Sequence, residues 1–212
     1  MEVEASYIEE VSKVSKINAV SGYNQTEEKT QIDYSNYSPS EIRDIPYDEA
    51  KENYERIKER VELLDKENLS ESENNELSGV HFQLGKVNFS NNDKLNEATY
   101  ETMRNLEDPL EVSVFALEVQ INLQDYYYGK DITSSFQING TDGSNHIHKE
   151  LNSTQLSNIN VDDFIDKMLE TFTEDYNSVK SGTVKEQYKN IVDGYSSFKE
   201  NYDKAVTEPY YA

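Results

Sequence analysis

The sequence predicts a mostly all-α protein: a bundle of five to six helices behind a flexible N-terminal tail, with a short β-hairpin or long loop around residues 130–158. Three observations carry this expectation. Apolar residues recur at helical spacing over most of the chain, most regularly at Val184, Tyr188, Ile191, Tyr195, Phe198, Tyr202 and Ala205, with steps of 4, 3, 4, 3, 4 and 3. Ser/Thr-x-x-Glu capping boxes precede several of these stretches and satisfy backbone donors at a helix start. Pro39 and Pro109 stand at first helical positions, where the missing N–H has no helical partner to lose.

In chain order, residues 1–20 carry Val3, Tyr7, Val11, Val14 and Ile17, with steps of 4, 4, 3 and 3, opposite a face of Glu, Ser and Lys. This is an amphipathic segment, and those five residues are the candidate protein-binding positions. Residues 18–38 lose the period among Asn, Ser, Gly, Gln and Thr, so the division expected is a tail over 1–38 and a helical domain over 39–212. The alternative for the first segment is a frayed helix docked on its own domain.

Ser38-Pro39-Ser40-Glu41 is a capping box with proline at the first helical position, and Ile45-Pro46 interrupts the helix it starts. A long helix is then expected to about Asn68. Its seam is Tyr47, Ala50, Tyr54, Ile57, Val61 and Leu64, a heptad pattern that serves a bundle or a dimer equally well. Ser70–Glu73 is a second capping box. The stretch over 70–89 reads as helix through Leu77, Val80, Leu84 and Val87, although Val80, Phe82 and Leu84 also alternate like a strand. Ser90–Asp93 opens a helix with Leu95, Ala98, Thr102 or Met103, and Leu106 inward. Asp108 caps the next. From Leu110 to Tyr128 that helix is apolar on nearly every face, at Val112, Val114, Phe115, Leu117, Val119, Ile121 and Leu123, which predicts a central, buried position. Asn139–Asn145 is the turn-rich core of the loop or hairpin region. Two helices close the chain: Asn160 to Val179, ended by Ser181-Gly182, and a last one opened by Thr183–Glu186 and stopped by Pro209.

Composition narrows the function. With 42 acidic and 20 basic residues, the formal net charge is -22, so most surfaces repel phosphate and anionic membranes alike. No nucleic-acid binding and no membrane insertion are expected, and no apolar run reaches the length of a span. Met1-Glu2-Val3-Glu4 lacks the basic and apolar regions of a signal peptide, which makes the cytoplasm the expected compartment, with secretion lacking a cleaved signal as the alternative. The chain has no cysteine, which removes disulfides, thiolate zinc sites and cysteine nucleophiles. Only 35% of residues are apolar, a lean core helped by 16 Tyr and 7 Phe, and each buried phenol needs a hydrogen-bond partner. The Asn-, Lys-, Ile- and Tyr-rich usage fits an AT-rich microbial genome.

The catalytic signatures fail. The residues three before His81, His146 and His148 are Ser78, Gly143 and Asn145, so no Glu-x-x-His pair exists. Gly79 to Gly85-Lys86 has the wrong length for a phosphate loop and Val87 where Ser or Thr is needed. The Asn139–Ser144 frame does not place an EF-hand glycine. His146 and His148 would share one side of a strand, with Asp142 and Glu150 nearby, and are the candidate zinc or nickel ligands; two solvated loop histidines are the commoner outcome. His81 reads as a helix histidine. Paired acids such as Asp162-Asp163 read as solvated faces, and Tyr126-Tyr127-Tyr128 points in three directions, so at least one ring meets solvent or a partner.

No cofactor is expected and no enzyme activity. The function expected is a non-catalytic protein–protein interaction module with a protein partner of unknown identity and an open oligomeric state. The alternatives are an exported or appendage-associated protein and an acidic mimic of nucleic acid, the last diluted by interspersed Lys and Arg.

Overall fold

A computed structural model describes residues 31–135 and 150–207. The chain divides at Asp33/Tyr34 into two units, and the described residues fall almost wholly in the second, Tyr34–Ala212. Nine helices and no strand occur among them: α1 Pro39–Arg43, α2 Tyr47–Glu52, α3 Tyr54–Glu62, α4 Glu71–Leu84, α5 Asp93–Asn105, α6 Pro109–Tyr127, α7 Ser153–Ser157, α8 Val161–Ser178 and α9 Thr183–Thr207. The all-α bundle is therefore as expected. The count exceeds five to six because α1, α2 and α7 are single short turns and the long helix expected over 47–68 is broken. No helix among the described residues is long and apolar enough to cross a membrane.

Local chemistry explains the boundaries. Ser38 and Glu41 exchange the two bonds of a capping box, with Ser38 N–H donating to Glu41 Oε2 at 2.8 Å and Glu41 N–H to Ser38 Oγ at 3.3 Å. Ser70 and Glu73 repeat this at α4. Asp108 accepts from Leu110 N–H at 2.8 Å, with Pro109 following, so α6 starts where the sequence placed it. The break between α2 and α3 falls at Asn53, whose buried amide donates to Glu49 O at 3.0 Å and accepts from Arg56, competing with the regular ladder. The helix ends at Glu62, and beyond it Asp65 holds a turn: its backbone carbonyl takes Asn68 N–H and its side chain takes Glu67 N–H. At the last helix the cap is Gly182, not Thr183. Gly182 has φ +96°, open to glycine at no steric cost, and its carbonyl receives Lys185 and Glu186 N–H.

The heptad residues of α9 pack inward from Tyr188 to Ala205, leaving Val184 exposed. This helix lies against α5 and α8 and touches α6, while α4 joins α6 to α1. The core centres on Phe115, Phe164, Phe172, Tyr195 and Phe198, with Phe115–Tyr195 and Phe164–Tyr195 edge-to-face and Phe172–Tyr195 stacked. Three of the buried phenols have the partners that burial requires. Tyr47 Oη donates to Val87 O at 3.1 Å, Tyr100 Oη to Ile45 O at 2.9 Å, and Tyr34 Oη to Glu49 Oε1 at 3.0 Å. Tyr34, ahead of the first capping box, is already buried.

Candidate functional site

Helix α6 carries two apolar stripes. Val112, Phe115, Ala116, Val119 and Leu123 are buried and form its core face. Leu110, Val114 and Leu117, with steps of 4 and 3, form a second stripe and remain 67%, 40% and 44% exposed. A helix apolar on most sides is thus not central here. One face is left open, a correction to the central position expected from apolar residues on nearly every face.

The open stripe borders a groove of about 560 Å³ whose apolar lining is Leu106, Leu110, Val114, Phe115, Leu117 and Ile191. Gly194 of α9 lines it too, directly against the Phe115 ring. A Cβ at Gly194 would lie 2.8 Å from Phe115 Cδ2 and 3.1 Å from Cε2. That ring is held edge-on by Tyr195 and Phe198, so it has little room to yield. Gly194→Ala should therefore destabilise by about 1–2 kcal/mol in urea titration, the overpacking outweighing the roughly 1 kcal/mol that alanine gains in a helix. A net gain in stability would show that the groove floor is plastic.

The charged lining is acidic, beside the neutral Ser135, Gln187 and Asn190. Asp108, Glu111, Glu118 and Asp193 contribute, and no Lys, Arg or His stands among the described lining residues. Lys189 reaches Asp193 from outside it, and Asn190 donates to Glu111 Oε1 at 3.3 Å.

No family model, curated protein or solved structure matches this chain. Its chemistry must accordingly be read from the residues. Glu118, one position beyond Leu117, turns inward and is buried. Its Oε1 accepts from Ser135 N–H at 2.7 Å and from Ser135 Oγ at 2.5 Å, and its Oε2 accepts from Asn122 Nδ2 at 3.2 Å. Asn122 Nδ2 also donates to Tyr195 Oη at 3.1 Å. Burial raises the Glu118 carboxyl above the usual glutamate range, against the opposing pull of the Ser135 and Asn122 donors, and raises the Tyr195 phenol far more. Asn122 Oδ1 and Ser134 Oγ are buried with no partner among the described residues. Both Glu118 oxygens are committed to these structural bonds, and Asp108, Glu111 and Asp193 line the groove on the surface.

Among the described residues no group of three His, Asp or Glu converges to hold a metal ion. His146 and His148 lie outside the described residues, as do Val3, Tyr7, Val11, Val14 and Ile17 and most of the loop or hairpin region. His81 sits on the exposed side of α4, and its imidazole is held below the usual range by partial burial and by Lys66. Tyr126 packs edge-on against Phe164, while Tyr127 and Tyr128 are solvent-facing. The sequence does not single out the groove residues, because a helix apolar on nearly every face reads as core throughout. The signal that could have found them is the doubling: a surface helix needs one apolar stripe, and Leu110, Val114 and Leu117 form a second at helical spacing.

Proposed function

We propose that this chain is a non-catalytic protein–protein interaction module that seats a helix of a protein partner in the groove between α6 and α9. The observation that carries the reading is the exposed stripe of Leu110, Val114 and Leu117 over a floor of Phe115 and Ile191. The stripe extends about 10 Å along α6, two helical turns, and its i, i+4, i+7 spacing complements the side-chain rows of another helix. Covering these three side chains would contribute about 1 kcal/mol or more each before the cost of association.

The test is capture from the native host with the full chain, a version lacking residues 1–30, and the double variant Leu110→Gln/Leu117→Gln. Both leucines are exposed, so their replacement should leave stability within about 0.5 kcal/mol. The expected result is one stoichiometric partner, retained without residues 1–30 and reduced about tenfold or more by the double variant. Capture lost only with residues 1–30 would move the contact to the amphipathic segment around Val3, Tyr7, Val11, Val14 and Ile17 and overturn the groove reading.

A further inference from the structure

The groove's occupant can be narrowed by charge. Asp108 and Glu111 stand at the end of α6 where the stripe begins, and Asp193 lines the opposite side on α9. Of these three, only Asp193 has an ion-pair partner among the described residues, Lys189. A second copy of this chain would bring its own net charge of -22 to that rim. The amphipathic segment of residues 1–20 carries Glu2, Glu4, Glu9 and Glu10 against Lys13 and Lys16, and is also a poor electrostatic match. Both candidates drawn from this chain are therefore disfavoured.

We infer that the groove takes a basic amphipathic helix from another protein: an apolar stripe seated on Leu110, Val114 and Leu117, flanked by Lys or Arg facing Asp108, Glu111 and Asp193. This inference rests on the helix-docking reading above and specifies the partner's chemistry. Apolar contact supplies the holding interaction, and the acidic rim supplies selection and a faster encounter. Salt should accordingly weaken binding without abolishing it, because apolar burial is not screened.

The test uses two designed helical peptides sharing one leucine stripe, one flanked by lysines and the other by glutamates, titrated against the full chain by fluorescence anisotropy. The lysine peptide should bind about tenfold or more tightly than the glutamate peptide. Leu110→Gln/Leu117→Gln should weaken it about tenfold, whereas Leu63→Gln, at an exposed leucine beyond the end of α3, should change nothing. Asp108→Asn/Glu111→Gln/Asp193→Asn should erase most of the preference; asparagine still caps α6, so the helix start survives. Equal binding of both peptides would overturn the charge inference while leaving helix docking intact. Lysine-peptide binding that survives the double leucine variant would also overturn it, since attraction to the acidic chain as a whole would then suffice. Binding of neither peptide would overturn it too, and the host-capture experiment would decide the docking reading separately.

Discussion

Phe172→Ala should lower the stability of the helical unit by about 3–5 kcal/mol and its melting midpoint by about 10 °C. Phe172 is completely buried on α8, its ring stacked on Tyr195 with centroids 5.9 Å apart and planes 17° from parallel. Tyr188 lies beyond it at 6.4 Å, so the side chain fills the space between α8 and two successive turns of α9. Truncation removes the transfer free energy of the ring and leaves a cavity between elements whose heptad packing allows little collapse. Phe172→Leu should cost markedly less, because it retains most of the apolar volume. Phe82→Ala, at an exposed position on α4, should stay within about 0.5 kcal/mol. Urea titration of the three variants checks the order. A loss below about 1 kcal/mol for Phe172→Ala would contradict the packing of α8 on α9.

The elements that were legible in the sequence are those whose cause is local. The Ser38–Glu41 and Ser70–Glu73 boxes and the Asp108-Pro109 start are chemical statements about neighbouring residues, and each forms as written. The α9 heptad was legible because a step of 4 and 3 sustained from Tyr188 to Ala205 has one structural solution. The break at Asn53 was hidden because the seam on either side stays in register: Ala50, Ile57 and Val61 are all buried, so the apolar pattern runs through a discontinuity made by one amide. The strand-like alternation of Val80, Phe82 and Leu84 resolves as helix, with Phe82 exposed and the other two buried. The candidate groove was the least legible feature. Whether Leu110, Val114 and Leu117 face a neighbour or water is decided by where α9 crosses α6, a tertiary fact to which spacing is blind. Glu118 was similarly lost in a sequence where a fifth of the residues are acidic, since nothing in its neighbours marks it as the one turned inward.

That inward acid gives the second large effect. An ionised Glu118 requires the Asn122 amide to present Nδ2 to it, and Asn122 Oδ1 then has no donor among the described residues. Once the carboxyl is protonated the amide can turn over, so that Oδ1 accepts from the acid proton and the Tyr195 hydroxyl while Nδ2 moves to the position that Oδ1 leaves. Burial disfavours the charged form and raises the carboxyl above the usual glutamate range, with the Ser135 and Asn122 donors opposing it. The sign of the linkage follows. The native state holds a proton on Glu118 that the unfolded chain has already released, so this residue's contribution to stability falls as pH rises from the usual glutamate range, about 4.3, through the raised native value. Above that value the penalty is present in full. Glu118→Gln removes it: the substituted side chain keeps a carbonyl oxygen that can accept from Ser135, and its amide can donate to the turned Asn122. We expect Glu118→Gln to be more stable than the parent at pH 7, with the difference shrinking on acidification. Glu118→Ala should instead lose about 2–3 kcal/mol, because Ser135 N–H, the Asn122 amide and the Tyr195 hydroxyl are left around a void. Both differences are read against the parent at each pH, which cancels the titration of the surface acids. A Glu118→Gln protein less stable than the parent at pH 7, with a gap that widens toward neutrality, would mean that the ionised carboxylate is the preferred partner of Ser135 and that burial does not govern this acid.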